Sequence, residues 1–411
     1  MITTDPRRRG RHDVVIVGAR AAGGAAALLL ARLGHDVVVV DRELLPSDTV
    51  STHSIARGGV VQLHRWGLLD AVLASGAPPI RQVTFHVAGE SVTQTVKDKS
   101  GVDHLVAPRR HVLDTIVACA ARQAGADLRL GVTITGVLRD TGGRAIGVCG
   151  YDRAGAAVEL HGRFVIGADG LKSRVAGSVG APIVERRGAS GGTQYAYYAG
   201  LPWNGIEFFV AERSLAGIFP THNGEACIWV CGPSSDTVAA RRRACSRADA
   251  FMALLHRAAP ALVDRLGDAT RTSEVTGMLR MPNQLRQAAG AGWALVGDAG
   301  YHRDAVTGYG VTDAYRDAEL IAVAIDAALR GETDEDTAMA GYAYRRDQAL
   351  RETFELTCAL AAYPPVPEFV ALQKRLSVAI EIEAAALAAR PVPGEHRLAS
   401  GEENRHVRTY G

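Results

Sequence analysis

Two short apolar runs near the start of the chain, 13–17 (DVVIV) and 36–40 (DVVVV), have the length and β-branched content of strands buried on both faces. Between them lie Gly18-Ala-Arg-Ala-Ala-Gly23-Gly24 and an Ala/Leu-rich stretch that reads as a helix ending near Gly34. Strand, glycine turn, helix and strand in this order predict a βαβ unit. After a Ser/Thr/Asp-rich link over 44–57, helical patterning runs through 58–73, with a turn at 76–79. Apolar and polar residues alternate over 83–96, which predicts antiparallel strands. A helix at 113–123 precedes strands near 128–137, 145–151 and 157–166. The region 186–285 reads as a sheet, with strands at 193–201, 206–211, 226–231 and 272–281 and one helix at 248–266. A buried strand at 293–296 follows, then helices at 312–329, 335–360 and 368–389 and a polar tail from 391.

With 411 residues, 47% hydrophobic and 22% charged, the chain can bury a large core in more than one domain, and disordered, collagen-like and coiled-coil classes are excluded. A net charge of +2 provides no global field for nucleic acid or an anionic membrane, which leaves a small molecule as the expected partner. The cationic residues are almost all arginine, a compositional bias without functional weight. Cys119, Cys149, Cys227, Cys231, Cys245 and Cys358 form no CxxC pair, so neither a zinc site nor a disulfide framework is expected, and no metal is assigned. Cys227 and Cys231 share one face of a strand as core filler. The basic N-terminus lacks the apolar run of a signal peptide, and no stretch reaches the ~20 apolar residues of a membrane span. A cytoplasmic protein is expected.

The chemistry begins at the first glycine turn. Asp41 closes the second strand 23 positions after Gly18, near the ~20 expected for a carboxylate that accepts dinucleotide ribose hydroxyls. The helix N-terminus at that turn would face a pyrophosphate, whose charge its free N–H groups and dipole stabilise. Arg20 stands at the middle glycine of GxGxxG, so the turn alone is a weak signal. A second one lies at 297–310, GDAGYHRDAVTGYG, where Asp298 ends a strand and Gly308 and Gly310 precede a long helix, aiming another helix N-terminus at a ligand. Beside a flavin, that dipole would stabilise negative charge near N1 of the reduced ring.

With these motifs the chain resembles the FAD-dependent group A monooxygenases related to para-hydroxybenzoate hydroxylase, in a branch close to geranylgeranyl reductase-like oxidoreductases. Three spaced segments carry the resemblance: the turn 18–23 with Asp41, VIGADGLKS at 165–173, and 297–310 followed by Asp317-Ala318. The resemblance implies an FAD/NAD(P)-binding three-layer Rossmann-like α/β domain interrupted by a β-sheet substrate domain, with a helical C-terminus. On this reading residues 11–80, 106–182 and 286–390 build the FAD domain and its C-terminal helices, 81–105 and 183–285 the substrate domain, and 391–411 a tail. It places Arg57 near the FAD pyrophosphate, Arg110 on the cofactor, Asp169 in a turn near FAD and nicotinamide, and Asp298 on the ribityl chain. The expected FAD set is Gly18, Arg20, Ala22, Gly23, Asp41, Arg42, Arg57, Arg110, Asp169, Asp298, Gly308 and Gly310.

Four positions depart from the family pattern. Arg20 replaces glycine, Ala305 the usual proline, Tyr301 the usual histidine, with His302 next to it, and Ala176 the arginine closing the second motif. With no second nucleotide fold, NAD(P)H is expected as a transient co-substrate. The expected reaction is hydroxylation of an aromatic or polyketide-like molecule by O2 through a flavin C4a-hydroperoxide. Alternatives are reduction of an isoprenoid C=C bond, because RSLAGIFP at 213–220 resembles part of a geranylgeranyl reductase segment, and a non-redox FAD-supported cyclase or binding protein. A halogenase is disfavoured because no WxWxIP-like segment is present. Catalytic candidates are His53, Tyr195, Tyr197, His222 and His302. The aromatic pocket is expected from Tyr195, Tyr197, Tyr198, Phe208, Phe209, Phe219, His222 and Trp229.

Overall fold

The computed structural model describes residues 10–51, 53–188 and 191–394; the start of the basic N-terminus and the tail from 395 lie outside the described residues. The two apolar runs form Arg11–Val17 and Val37–Asp41, parallel neighbours in register Val14 to Val37 through Val17 to Val40. Ala157–Gly167 pairs in parallel on the other side of the first strand, Trp293–Leu295 lies beyond it, and Asp127–Leu130 flanks Val37–Asp41.

The period of two along these strands builds the layers. Val14, Ile16, Val37 and Val39 face a core with the helices Ala21–Arg32, Arg110–Gln123 and Gly310–Leu329. Val15, Val17, Val38 and Val40 face the other way, against Val132, Ile134, Val148 and Val175. There the antiparallel hairpin of Thr133–Arg139 and Ala145–Tyr151 forms the third layer. The expected three-layer α/β architecture with a helical C-terminus is therefore borne out.

A second eight-stranded sheet is built mainly from Gly191–Ala199, Ala226–Pro233, Ser214–Pro220 and Ile206–Ala211, and the hairpin Gln82–Val87 and Glu90–Thr95 completes it. One face of this sheet packs against Leu372, Leu376 and Ala379 of the long helix Val366–Ala388. The other face packs against Phe251, Leu254, Leu255 and Leu262. A small sheet of Ile183–Arg187, Asn283–Arg286 and Tyr301–His302 ties the two bodies together.

Several expected elements divide. The stretch 58–73 becomes Arg57–Arg65 and Leu69–Ala74, because Gly67 takes a φ of 70° between them. The helix expected at 248–266 breaks before Pro260, which has no N–H to continue the ladder, into Arg247–Ala258 and Pro260–Arg265. The strand Ser214–Pro220 and the helix Ser234–Arg243 were not anticipated. That strand is buried at every position, so no alternation marks it in the sequence.

Candidate active site

A cleft of about 920 Å³ runs along the carboxyl ends of the parallel strands. At one end Gly18, Arg20 and Ala22 face Asp41 and Arg42; at the other lie Asp298, Gly308 and Gly310. The first turn depends on its glycines. Gly18 has a φ of 104°, and a Cβ on Gly23 would sit 1.8 Å from the Gly18 carbonyl oxygen. Gly23 is thus the packing residue beneath the turn and does not line the cleft. Asp41 holds the turn from the second strand: Oδ2 accepts the Ala19 N–H at 2.8 Å and Oδ1 the Glu43 N–H at 2.9 Å.

Two arginines that line the cleft share one buried carboxylate behind it. Arg110 donates Nε and Nη2 to the two oxygens of Asp114 at 3.1 and 3.0 Å, and Arg20 Nη1 approaches the same group at 3.8 Å. Arg20 also reaches across to Ser47 Oγ at 2.9 Å. Burial opposes the Arg110 charge, but Asp114 outweighs it and holds the guanidinium above its ordinary value. The residue at the departed glycine position thus brings a cation to the helix N-terminus. Asp114, not anticipated, positions both arginines; its spacing of four from Arg110 on one helix is the signal that could have found it.

At the far end the helix Gly310–Leu329 points its N-terminus into the cleft. A Cβ at Gly308 or Gly310 would meet nothing within 4 Å, since both face open space. The loop before this helix is anchored beneath by a buried ionic network. Arg303 binds Asp313 through Nε at 2.6 Å, Arg316 donates to Asp313 and Glu383 at 2.8 Å, and Asp317 accepts the Gly297 N–H at 3.0 Å. Arg316 also donates to the Tyr301 hydroxyl at 2.7 Å, so tyrosine at the family's histidine position belongs to this network. His302 lines the cleft and donates Nδ1 to the Pro282 carbonyl at 2.7 Å. The Asp298 carboxylate makes no hydrogen bond among the described residues and stands open in the cleft.

Asp169 lines the cleft as a helix cap: it accepts from Ser173 Oγ at 2.5 Å and from the Arg174 and Val175 N–H groups at 2.6 and 3.2 Å. Burial raises its pKa against these bonds. Lys172 and Arg174 stand beside it, and Ala176, which replaces arginine, is buried.

A second cavity, of about 750 Å³, lies on the inner face of the eight-stranded sheet under Leu376 and Ile380 of the long C-terminal helix. Phe85, Phe208, Phe219 and Trp229 form its walls, with Trp229 and Phe219 5.1 Å apart between ring centroids. Ser54, Ala305 and Gly308 line both this cavity and the cleft, so the two meet at that point.

Several expected residues lie elsewhere. Arg57 lines the second cavity and not the cleft, because Nε binds Glu381 at 2.7 Å and Nη1 the Val102 carbonyl at 2.9 Å. Tyr195 and Tyr197 share a face as expected but line neither space, since Ser51 and His53 bond to their hydroxyls. Tyr195 accepts the Ser51 N–H at 3.1 Å, and Tyr197 bonds His53 and carries the Arg109 guanidinium 3.5 Å from its ring centre. Burial pushes the Tyr195 phenol up to about 12. His222 also lines neither space: it is fastened to Ser75 and to the Arg109 N–H at 3.0 and 3.2 Å. Phe209 and Tyr198 face the opposite core, one strand position out of phase with the pocket. His53 does line the cleft; burial, then Arg110 and Arg109, lowers its pKa well below 6.5, so the ring is neutral, and its buried Nδ1 has no partner among the described residues.

The fit to FAD can be judged from these groups. A cleft that joins two helix N-termini, arginines at the first, a free carboxylate at the second and open glycines beside it matches a dinucleotide carrying a polyol. The family described as "FAD binding domain" matches residues 11–356. The chain is 28% identical over 334 residues to a menaquinone reductase of Mycobacterium tuberculosis (strain H37Rv), covering 76% of each protein. It is 27% identical over 274 residues to a rifampicin monooxygenase of Rhodococcus hoagii, covering 64% of this chain and 55% of that one. The fold is similar to that of PqsL, a probable FAD-dependent monooxygenase from Pseudomonas aeruginosa, with a TM-score of 0.75, 22% identity, and coverage of 89% of this chain and 100% of the other. The cleft and the match over 11–356 agree: the chain belongs to the FAD-binding-domain family, among the FAD-dependent monooxygenases and their geranylgeranyl reductase-like neighbours, and is an FAD-dependent oxidoreductase.

Proposed function

We propose that this protein is an NAD(P)H-dependent monooxygenase that hydroxylates an aromatic or polyketide-like small molecule held in the second cavity. The observation that carries the reading is the meeting of an aromatic-walled cavity with the cofactor cleft at Ser54, Ala305 and Gly308. FAD, when bound, supplies electron transfer from a nicotinamide to dioxygen and the delivery of one oxygen atom. Asp41 and Asp298 would hold its ribose and ribityl hydroxyls, and Arg20 and Arg110 its phosphates. The N-terminus of Gly310–Leu329 would stabilise negative charge on the reduced ring.

The remaining steps fall to the chain's own side chains. Phe85, Phe208, Phe219 and Trp229 orient a flat substrate and exclude water from the junction. Neutral His53, which lines the cleft next to Ser54 where the two spaces meet, would hold a substrate hydroxyl proton. Lys172 and Arg174, beside the capped Asp169 turn, offer charge for transient docking of a nicotinamide phosphate. Their position on the outer lip agrees with a co-substrate that comes and goes.

The test is a screen of aromatic compounds for stimulated NAD(P)H oxidation, with oxygen uptake and product mass measured together. Equimolar oxygen consumption and a product heavier by one oxygen support hydroxylation. The apolar lining also favours a second reading, reduction of an isoprenoid C=C bond; a product heavier by two hydrogens without oxygen uptake would establish it instead.

A further inference from the structure

The second cavity is apolar in its body and cationic at one end. Val83, Phe85, Ile206, Phe208 and Phe219 make its body, whereas Arg57, Lys97 and Lys99 line it next to the helix that carries Glu381. Three cations therefore stand against one carboxylate among the lining residues. Glu381 bridges Arg57 Nε at 2.7 Å and Lys99 Nζ at 2.8 Å. Burial opposes its ionisation, but Lys99 and Arg57 hold its carboxyl below the ordinary value, so it is charged. Arg57 is 7% exposed, and its Nη2 makes no hydrogen bond among the described residues; neither does the Lys97 ammonium. Two further lining residues carry buried polar atoms without a hydrogen bond among the described residues. The Nε1–H of Trp229, a residue 4% exposed, and Oγ1 of Thr193, 6% exposed, have no partner among the described residues.

Buried donors without acceptors are costly to keep, and they are tolerated where a ligand completes them. The indole N–H only donates, so the atom it meets must be an acceptor oxygen or nitrogen. Guanidinium and ammonium groups in excess over carboxylate select an anion. We propose that the cavity binds an amphipathic anion, with an apolar ring system or chain against Phe85, Phe208 and Phe219, an acceptor atom at Trp229 Nε1, and a carboxylate or phosphate at Arg57, Lys97 and Lys99. This narrows the substrate class of the site and rests on the reading that the second cavity is the substrate cavity. Glu381 then acts as a counter-charge that holds Arg57 and Lys99 in place and competes with the substrate anion for them.

Binding tests this without turnover. The FAD-loaded protein is titrated with 1-pyrenebutyrate, pyrenylbutyl phosphate and methyl 1-pyrenebutyrate, and pyrene fluorescence is read. The anions should bind about 10- to 100-fold tighter than the ester, the range expected of a charge-assisted contact. Added salt should weaken the anions only. Preference between carboxylate and phosphate identifies the headgroup, and either order supports the inference. Glu381→Gln frees both cations and should tighten the anions at least about threefold with the ester unchanged, a gain that misfolding cannot mimic. Lys97→Glu, at an exposed position, should weaken the anions alone. Ile380→Trp, which fills the cavity, should abolish binding of all three probes.

Equal affinity for acid and ester, an anion affinity that Glu381→Gln leaves unchanged or lowers, failure of every probe to bind, or full binding to Ile380→Trp would each overturn the proposal. If the probes behave as expected and no compound couples NAD(P)H oxidation to oxygen insertion, the hydroxylase reading falls and the anion site stands.

Discussion

Asp41→Ala separates two jobs that the structure gives to one carboxylate. Oδ2 is the acceptor for the buried Ala19 N–H inside the glycine turn, and Oδ1 takes the Glu43 N–H at the edge of the cleft. Removing the side chain leaves the Ala19 N–H unsatisfied, at a cost of about 1–3 kcal/mol to the apoprotein. The ribose hydroxyls of FAD lose an acceptor as well, a further ~0.5–1.5 kcal/mol that only the bound state registers. The apoprotein should therefore melt a few degrees lower, and FAD affinity should fall by about 2- to 10-fold from the ribose contact, and further if the turn loosens. Asp41→Asn keeps one oxygen for the Ala19 N–H and sets an amide donor against the Glu43 N–H. Its apoprotein should melt close to wild type while FAD affinity stays reduced. Thermal melts of the apoprotein and FAD titration by quenching of flavin fluorescence measure the two effects. An Asp41→Ala protein with an unchanged apo melting temperature and an FAD dissociation constant within about twofold of wild type would refute both roles.

Asp298→Ala removes a carboxylate without a hydrogen bond to the described residues, so the apo melting temperature should hold while FAD affinity weakens by about 1–3 kcal/mol; the same titration and melt check it, and a large loss of apo stability would argue for a structural role. Gly23→Ala drives a methyl group into the Gly18 carbonyl, and the turn has no flexible side chain to yield. That protein should fail to retain FAD, and a yellow, thermally normal Gly23→Ala protein would contradict the described turn. His53 is held neutral by burial and the neighbouring cations, so its stabilisation is present above its ordinary pKa of 6.5 and is lost as pH falls below it. The melting temperature of wild type should fall more steeply between about pH 7 and pH 5 than that of His53→Gln, and parallel curves would show that the ring titrates freely.

Much of the cofactor end was legible along the chain because its determinants are local. A βαβ unit places Gly18, Asp41 and a helix N-terminus together through a few residues of contiguous geometry, and the loop before Gly310 does the same for Asp298. Period-two alternation likewise identified the face shared by Tyr195 and Tyr197. It could not say what covers that face. Ser51 and His53 engage the two phenols and leave the cavity to Phe85, Phe208, Phe219 and Trp229, so the residues with the more reactive side chains became supports. Phe208 and Phe209 are adjacent and chemically identical, and only the pairing register sends the first to the cavity and the second to the opposite core.

The charged residues divide along the same line. A helix spacing of four marks the pair Arg110 and Asp114, but Arg57 meets Glu381 across 324 positions, and Arg316 meets Glu383 across 67. Hydrophobic periodicity and turn chemistry act within a strand or a helix turn, so the sequence alone determined the layers, the cofactor and the ends of the cleft. The partner of a buried charge and the occupant of a sheet face depend on which distant segments dock together. That is why the tertiary structure decided where Arg57 points and which side chains wall the second cavity.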